Sequence, residues 1–244
     1  LGDRDWQVRR AAAQSLGDAR ATDKQAIAAL TSALGDPDSR VRRSAADALG
    51  QIGDKAYRSI PQLVAVYDDV DPSVVAAGAR ATGQMGKRAS KAVGELTALL
   101  DHEDARVRAA ASASLGNIGK RAKKSAHDLN ARLRDEDPAV RAAAARSLGQ
   151  VDSRSDQSVT DLIRILNDED DVVRAAASDA LVGMGKTAVP ALVRALGNGD
   201  PIFLQAVVDT VGRIGPDAVD TLVKTLGADH ASEMGKKFFD WYGT

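Results

Sequence analysis

The fifteen residues DEDPAVRAAAARSLG, Asp135 to Gly149, contain the pattern that decides the fold of this chain. Asp137 followed by Pro138 predicts the start of a helix, because aspartate accepts hydrogen bonds from the free amides at a helix N-terminus and proline needs no amide donor there. An apolar residue then recurs every four positions, which places one stripe on one face of the helix: Val140, Ala144, Leu148. The small residue in the middle of the stripe favours close packing against another helix.

This pattern repeats along the chain. Aligned on the apolar residue that follows an Asp by three positions, the marks are Val8, Val41, Val74, Val107, Val140, Val173 and Phe203. Five of the spacings are 33 residues and the last is 30. A fixed period of this length is typical of repeat proteins, in which each unit packs on its neighbours. We call the helix that carries this mark the Val helix.

A second helix, here called the Leu helix, is predicted in the rest of each unit. Its marks are Leu30, Leu63, Leu96, Leu129, Leu162, Leu192 and Leu222, each followed four residues later by a second large apolar residue. Each unit is therefore predicted to be two antiparallel helices of about 10–14 residues. One pair cannot bury its apolar stripe alone, so we predict an all-α chain that forms an α-solenoid of about seven pairs over residues 1–226.

Composition limits the function classes. The 244 residues include no Cys, which excludes disulfides, thiolate metal ligands and a Cys nucleophile. The net charge of −1 argues against a surface built entirely for nucleic acid or anionic membrane. No apolar run approaches the roughly 18 residues needed to span a bilayer, and no signal peptide is visible after Leu1. We expect a cytoplasmic segment of a longer protein.

The run from Asp135 to Gly149 resembles a HEAT repeat of the short, phycobilisome-lyase-like type. The resemblance implies an armadillo/HEAT-like superhelix, a fold that mostly binds other proteins and takes part in enzymes less often. The Asp and Arg positions of the family, six residues apart, are matched by Asp3 and Arg9, Asp36 and Arg42, Asp135 and Arg141, and Asp168 and Arg174. The chain departs from them at Asp69 with Val75, His102 with Arg108, and Asn198 with Leu204.

These arginines predict a structural ladder. Each Arg is expected to pair with the Asp of its own unit or with that of the neighbouring unit, and so to tie adjacent repeats together. The residues assigned to this ladder are Asp36, Arg42, Asp135, Arg141, Asp168 and Arg174. The alternative is an anion-binding row of arginines.

Exposed positions of the Val helices predict a binding groove. Each pair consists of a Leu helix followed by a Val helix. The resemblance implies that the Val helix, as the second of the pair, lines the concave face. Positions two, six and ten residues after the mark would then line a trough with Ala on its floor, which suits an extended peptide or a helix. The residues predicted to bind a partner are Arg43, Asp47, Arg80, Gln84, Asn117, Arg146, Gln150 and Asp179. The alternative is that they are ordinary solvated residues.

Charge differs between the two ends of the Val helices. The turns before these helices are acidic, whereas the loops after them form a basic ridge in the middle of the chain: Lys87, Arg88, Lys91, Lys120, Arg121, Lys123 and Lys124. Cations are favoured near helix C-termini, but seven are more than the ends of these helices require. The ridge predicts contact with phosphate or an acidic partner. Nucleic acid is disfavoured, because no aromatic residue interleaves the cations for base stacking.

The sequence predicts no catalytic residue, no metal site and no cofactor. The acidic turn at 167–171 lacks the Gly and the final Glu of an EF-hand. His102 and Glu103 resemble one of the His-Glu pairs of HEAT-like deoxyhypusine hydroxylases, which use several such pairs for two irons. The enzymatic alternative is a bilin lyase-like or other enzyme-associated HEAT subunit. Only the type of repeat supports it, since the sequence contains no identifiable nucleophile for such chemistry.

We therefore predict a monomeric scaffold or adaptor that binds a protein or peptide, with no membrane partner and no enzymatic activity. The last residues, 227–244, hold four of the eight aromatic residues: Phe238, Phe239, Trp241 and Tyr242. We expect them to form a helix that caps the apolar end of the array, since a solenoid must cover its terminal face. Alternatively, they start a further segment.

Overall fold

The computed structural model describes residues 1–196, 201–216 and 218. Within these residues the chain forms α-helices and short 3-10 helices and contains no β-strand. The predicted C-terminal cap at 227–244 lies outside the described residues, as do Asn198 and Leu222. The chain forms two compact units, Leu1–Val151 and one that begins at Asp152. Stacked helix pairs build each unit, so the predicted all-α solenoid class is confirmed.

Val and Leu helices alternate along unit 1. The Val helices are α1 (Trp6–Asp18), α3 (Ser39–Ile52), α5 (Pro72–Gln84), α7 (Ala105–Ile118) and α9 (Pro138–Val151). The Leu helices are α2 (Lys24–Ala33), α4 (Ile60–Ala65), α6 (Val93–Ala98) and α8 (Ala126–Arg132). The 3-10 helices Gly53–Ser59, Gly86–Ala92 and Gly119–Ser125 precede α4, α6 and α8, and Val66–Asp68 and Leu99–Asp101 follow α4 and α6.

The Val helices begin at the predicted aspartates. The carboxylates of Asp38, Asp71 and Asp104 accept the backbone N–H two residues further on, at the N-terminus of each helix. Pro72 and Pro138 occupy the first helical position of α5 and α9. Three of these helices are followed by a glycine with positive φ, a conformation that glycine adopts without strain: Gly53 (68°), Gly86 (56°) and Gly119 (71°).

The apolar marks form the core of unit 1. Val41, Val74, Val107 and Val140 are fully buried, and so are the Leu residues that face them from the Leu helices: Leu30, Leu63, Leu96 and Leu129. Val8, on the first Val helix of the stack, differs because it is 48% exposed. In α3, α5, α7 and α9, the four-residue stripe therefore packs the Val helix onto the Leu helix of its own pair.

The predicted length of about 10–14 residues is wrong for most Leu helices of unit 1. The α-helical parts of α4, α6 and α8 span 6, 6 and 7 residues, because the chain forms 3-10 turns first. In α4, Pro61 lies at the start of the helix, where it lacks the amide needed to continue an α-helix backwards. Ala56, Ala89 and Ala122 anchor the three 3-10 helices because each is fully buried.

Three departures from the repeat pattern compensate for one another in the pair formed by α4 and α5. Tyr67 replaces the second Leu, Gly78 replaces the central Ala, and Thr82 replaces the Leu that ends the stripe. A Cβ on Gly78 would lie 2.5 Å from Val66 Cγ2 and 3.5 Å from the Tyr67 ring, so glycine makes room for this larger pair. The Tyr67 hydroxyl donates a 2.9 Å hydrogen bond to Thr82 Oγ1, which satisfies a buried polar group.

Neighbouring Val helices approach each other through a row of glycines: Gly17, Gly50, Gly83 and Gly116. A Cβ on Gly17, Gly83 or Gly116 would lie 2.6–3.0 Å from the backbone Cα of Ala48, Ser114 or Ser147 in the next Val helix. Sequence analysis alone did not assign these glycines to helix packing. Two serine hydroxyls also cross between helices, from Ser114 to Ala79 O and from Ser147 to Ser112 O.

Unit 2 repeats the same design. It contains the Leu helices α10 (Asp156–Ile165) and α12 (Val189–Ala195) and the Val helices α11 (Asp171–Met184) and α13 (Pro201–Ile214). The Ser178 hydroxyl lies 2.8 Å from the buried Thr210 hydroxyl between α11 and α13. Over both units, none of the described helices is long and apolar enough to cross a membrane.

Candidate functional site

The exposed face of the Val helices, here called the Val-helix face, presents the predicted groove residues to solvent. In unit 1, Arg43, Arg80, Gln84, Asn117, Arg146 and Gln150 are exposed and Asp47 is half-buried; in unit 2, Asp179 is exposed. Ala76 and Ala142, predicted for the floor, are 2% exposed. The seven residues of unit 1 therefore belong to one helix layer, and Asp179 holds the corresponding position in unit 2.

Charged side chains on this face pair between repeats. Arg80 donates a 3.1 Å hydrogen bond to Asp47 of the preceding Val helix, and Arg43 lies 3.7 Å from the same carboxylate. In unit 2, Arg213 donates to Asp179 at 2.5 Å. No described residue forms a hydrogen bond or ion pair with Arg146. A guanidinium without an internal partner is available for a ligand.

An amide row runs along the C-terminal ends of the Val helices of unit 1: Gln51, Gln84, Asn117 and Gln150. All four side chains are exposed, and the described part of the chain offers them no hydrogen-bond partner. The glycine row positions three of them, because the Oε1 atoms of Gln51, Gln84 and Gln150 lie directly over Gly17, Gly50 and Gly116. These three glutamines therefore reach over the preceding helix, and all four amides keep hydrogen-bonding groups free for a ligand.

A cleft of about 370 Å³ lies between α1 and α3 at one end of this row. Its lining is polar: Gln14, Asp18, Ser44, Asp47, Ala48 and Gln51. Gln14 and Gln51 were not among the predicted binding residues, although they hold the same repeat positions as Arg80 and Gln84. The 33-residue alignment is the signal that identifies them.

The basic ridge extends further than the sequence run suggests. Its seven residues lie on the 3-10 helices Gly86–Ala92 and Gly119–Ser125, which contact each other, and the first of these also contacts Gly53–Ser59. That third segment contributes Lys55 and Arg58, so nine cations lie on three adjacent segments. We call this set the basic edge. All nine side chains are exposed.

Only one carboxylate, Asp54, lies within these three segments. Arg88 lies 3.7 Å from Asp54, and its guanidinium lies 4.6 Å from the centre of the Tyr57 ring. Arg58 hydrogen-bonds to the Tyr57 hydroxyl and lowers the pKa of that phenol. For Lys55, Lys87, Lys91, Lys120, Arg121 and Lys124, the described residues contain no ion pair.

The ladder arginines pair with the neighbouring repeat. Arg42 donates two hydrogen bonds to the Asp69 carboxylate, at 2.6 and 2.8 Å, and Arg108 donates two to Asp135, both at 2.8 Å. Arg9 pairs with Asp36 in the same way. The other nitrogen of each guanidinium donates to two backbone carbonyls of its own unit; for Arg108 these are His102 O and Glu103 O. Of the two pairings that the sequence left open, the carboxylate belongs to the next repeat.

This pairing changes where the ladder is interrupted. Pairing within one unit would lose an ion pair at Asp69 and another at His102, whereas both Asp69 and Arg108 are paired in the structure. The interruption is instead between α5 and α7, where Val75 and His102 replace Arg and Asp together. His102 Nδ1 still accepts the backbone N–H of Asp104 at 3.0 Å, as Asp135 does for Asp137. Arg141 and Arg174 donate to the backbone of their own turns at Asp135 and Asp168.

Electrostatics support a structural role for these pairs. The hydrogen bond from Arg9 lowers the pKa of Asp36. Burial raises the pKa of Asp135, but hydrogen bonds from Arg108 and from the Asp137 backbone outweigh it, so the pKa is lowered overall. At the helix starts, Arg40 and Arg106 lower the pKa of Asp38 and Asp104 to about 2. These carboxylates are therefore engaged by arginines of the chain itself and not by a ligand.

A family model for HEAT repeats matches residues 1–82, 60–129, 93–182 and 159–234, which together cover most of the chain. The chain belongs to the HEAT-repeat family. The family resemblance predicted from the sequence is confirmed. No curated protein matches in sequence.

Solved structures agree on the fold of this HEAT-repeat chain. One chain of the complex of CpcE and CpcF of phycocyanin lyase from Nostoc sp. PCC7120 aligns with a TM-score of 0.60 and 24% identity, over 92% of this chain and 90% of that one. Escherichia coli YibA aligns with a TM-score of 0.62 and 18% identity, over 98% and 89%. Computationally designed armadillo repeat proteins for modular peptide recognition align at 0.53 and 18%, over 75% and 98%. Identities this low show the fold alone.

One cleft in the described part of the HEAT-repeat chain gathers titratable side chains around His102. No group of three His, Asp or Glu side chains there has the geometry to hold a metal ion. His102 and Glu103 line an open cleft of about 480 Å³ together with Arg108, Arg132 and Asp135, and Asp135 is already bound by Arg108. The cleft therefore surrounds a structural ion pair.

Proposed function

We propose that this chain is a protein-binding scaffold that takes its partner on the Val-helix face. The observation that carries the proposal is the row of exposed polar side chains in unit 1 that have no internal partner: Gln51, Gln84, Asn117, Arg146 and Gln150. The four amides recur once per repeat, and Arg146 shares its repeat with Gln150. A regular row of amides and a free guanidinium suits a polypeptide, whose backbone offers donors and acceptors at regular spacing.

Close packing supports the choice of this face over the Leu helices. The Val helices of unit 1 contact one another along their length through small residues. Each Leu helix, by contrast, packs on the Val helix of its own pair and meets the neighbouring Leu-helix layer through a 3-10 helix. In a two-layer stack the more closely spaced layer is the inner side of a curve, so we infer that the Val-helix face is concave. An extended peptide or a helix fits such a surface.

The experiment is selection of binders from a random peptide library displayed on phage, followed by affinity measurement on two variants. We expect the double variant Arg80→Glu and Arg146→Glu to bind the selected peptides at least tenfold more weakly. Arg4→Glu with Arg134→Glu, which makes the same charge change on two exposed turn residues, is the matched control and should bind normally. Equal binding by both double variants would exclude the Val-helix face.

We favour binding over chemistry for this chain. The lyase alternative rests on the fold that it shares with CpcE and CpcF, and the described residues do not bring a nucleophile together with a general base in a closed pocket. Mixing the chain with bilin and an apo-phycobiliprotein tests the alternative. We expect an unchanged absorbance spectrum; a shifted band that grows with time would favour the lyase.

A further inference from the structure

The basic edge and the amide row of unit 1 lie side by side. Gln84 ends α5, and Lys87 follows it by three residues across the turn at Gly86; Asn117 and Lys120 are related in the same way across Gly119. The turns also stack between repeats, because a Cβ on Gly53 would lie 3.7 Å from the carbonyl oxygen of Gln84. Free amides are thus flanked along one side by cations.

The cations exceed what the helix ends require. The Val helix α1 is followed by Arg20 as its nearest cation, and α11 in unit 2 by Lys186, so one cation is enough at a helix end in this chain. By contrast, α5 is followed by three cations and α7 by four. They fall in rows of equivalent repeat positions, such as Lys55, Arg88 and Arg121. The excess is therefore a property of this surface and points to an anionic ligand.

The acidic end of the same helices does not neutralise it. There, Asp36, Asp69 and Asp135 are bound by ladder arginines, and Asp38 and Asp104 by Arg40 and Arg106. A second copy of this chain would therefore find few free carboxylates on that end to offer to the basic edge. The Leu helices that follow the basic edge add few negative charges near it. The first turn of α6 contains one carboxylate, Glu95, and the first turn of α8 contains one, Asp128.

We propose that unit 1 binds an acidic polypeptide segment in extended form, with its backbone on the amide row and its acidic side chains on the basic edge. This inference rests on the proposed binding role of the Val-helix face, since it uses the amides of that face. A polypeptide fits better than nucleic acid because these three segments offer a single aromatic ring, Tyr57, for base stacking, and the Arg88 guanidinium already lies 4.6 Å from its centre. The amides match backbone N–H and C=O groups.

Helix spacing fixes the sequence pattern of the ligand. Packed helices are about 8–10 Å apart. Three residues of a polyproline-type extended chain span about 9 Å and complete one turn, so every third side chain points to the same side. Every third residue of the ligand therefore meets an equivalent position of the next repeat. We infer that the segment carries Asp or Glu at every third position.

Fluorescence anisotropy with two labelled 12-residue peptides tests the proposal. One has the repeat Glu-Ser-Gly, and the other has the same composition with its four Glu contiguous. At pH 7 and low salt we expect the spaced peptide to bind at least threefold more tightly. Equal or tighter binding of the contiguous peptide would overturn the every-third pattern. Addition of 0.3 M NaCl should weaken binding about tenfold, because screening shortens the reach of exposed charges.

Two double variants test the site. Lys87→Glu with Lys120→Glu should weaken binding of the spaced peptide at least tenfold, and Gln84→Ala with Asn117→Ala at least threefold. The matched control, Arg4→Glu with Arg134→Glu, makes the same charge change and should bind normally; far-ultraviolet circular dichroism verifies that each variant is folded. Equal binding by Lys87→Glu with Lys120→Glu and by the control would overturn the proposal.

Two further probes test the class of ligand. The oligonucleotide dT12 and vesicles of phosphatidylserine should bind more weakly than the spaced peptide, and tighter binding of either overturns the choice of a polypeptide. Failure here also differs from failure of the proposed function. Library peptides that depend on Arg80 and Arg146 but carry no acidic pattern would leave the scaffold role in place and remove only the acidic ligand.

Discussion

The α7–α9 interface contains an ion pair between repeats, and the α5–α7 interface does not. Arg108 and Asp135 join α7 to the turn before α9, whereas Val75 and His102 occupy the equivalent positions one repeat earlier. The helices nevertheless approach at least as closely without the pair. A Cβ on Gly83 would lie 2.6 Å from Ser114 Cα in the α5–α7 interface. A Cβ on Gly116 would lie 3.0 Å from Ser147 Cα in the α7–α9 interface. The small residues, and not the ion pairs, set the helix spacing.

The ion pair contributes in another way. A buried pair adds little stability relative to apolar residues of similar size, but loss of one partner strands the other charge. Arg108 donates to its own turn through His102 O and Glu103 O and to the next turn through Asp135. It thereby holds the turn before α7 opposite the turn before α9. Val75 gives up this constraint and is itself fully buried.

Arg108→Ala gives the largest expected effect. It removes both guanidinium hydrogen bonds from Asp135, whose side chain is 3% exposed and keeps only the more distant Arg132, at 3.8 Å, as a counter-charge. It also leaves two carbonyls without a donor. We expect the free energy of unfolding to fall by about 4 kcal/mol. Urea denaturation followed by circular dichroism measures it. Arg134→Ala, at an exposed turn residue, should change stability by less than about 0.5 kcal/mol. A loss below about 1 kcal/mol in Arg108→Ala would show that the pair is dispensable.

Installing the missing pair is the second test. Val75→Arg alone places a charge at a fully buried position opposite His102, and we expect a loss of about 3 kcal/mol. Adding His102→Asp supplies the carboxylate and keeps an acceptor for the Asp104 amide, so the double variant should lie within about 1 kcal/mol of the original chain. A double-mutant cycle that includes His102→Asp alone measures the coupling. No recovery in the double variant would mean that this interface has no room for the pair.

The glycine row gives the third test. Gly83→Ala brings a methyl group against the Ser114 backbone, and overpacking of about 1–3 kcal/mol exceeds the gain of about 1 kcal/mol in helix propensity. We expect a smaller loss for Gly116→Ala, since its nearest backbone atom is further away. Gly94→Ala, with no atom within 4 Å of its Cβ, is the control and should gain about 0.5 kcal/mol. Thermal melting of the three variants ranks them. A stabilised Gly83→Ala chain would contradict the packing role.

The fold was predictable because the repeat is written in residue types that act locally. Asp before the Val helix caps it, and the four-residue stripe selects its buried face. The compensation among Tyr67, Gly78 and Thr82 was not predictable in the same way, because each looks like a separate departure until the ring is placed between the helices. Short-range rules also do not show where a Leu helix changes from 3-10 to α-helical turns.

The candidate site was predictable only in part. The exposed positions of the Val helices follow from helical periodicity, so Gln84, Asn117 and Arg146 could be assigned to one face. The basic edge was underestimated, since Asp54 and Tyr57 interrupt the run that contains Lys55 and Arg58. Stacking, and not sequence proximity, brings these two cations beside Arg88. The partner of each ladder Arg was ambiguous for the same reason.

Lowering the pH gives the smallest expected change in the free energy of unfolding. It tests the ion pair that distinguishes the α7–α9 interface from the α5–α7 interface. The folded-state pKa of Asp135 is below its ordinary value, so its ion pair stabilises the chain above the unfolded-state pKa of about 3.9. That stability is lost as pH falls from about 4 through the folded-state pKa. Arg108→Ala loses the part of this contribution that comes from Arg108 and keeps the parts from the Asp137 backbone and Arg132. Its stability deficit relative to the original chain should therefore narrow between pH 5 and pH 2.5. Urea titrations across this range measure the deficit. A deficit that stays constant would mean that Arg108 acts through its carbonyl contacts and not through the Asp135 carboxylate.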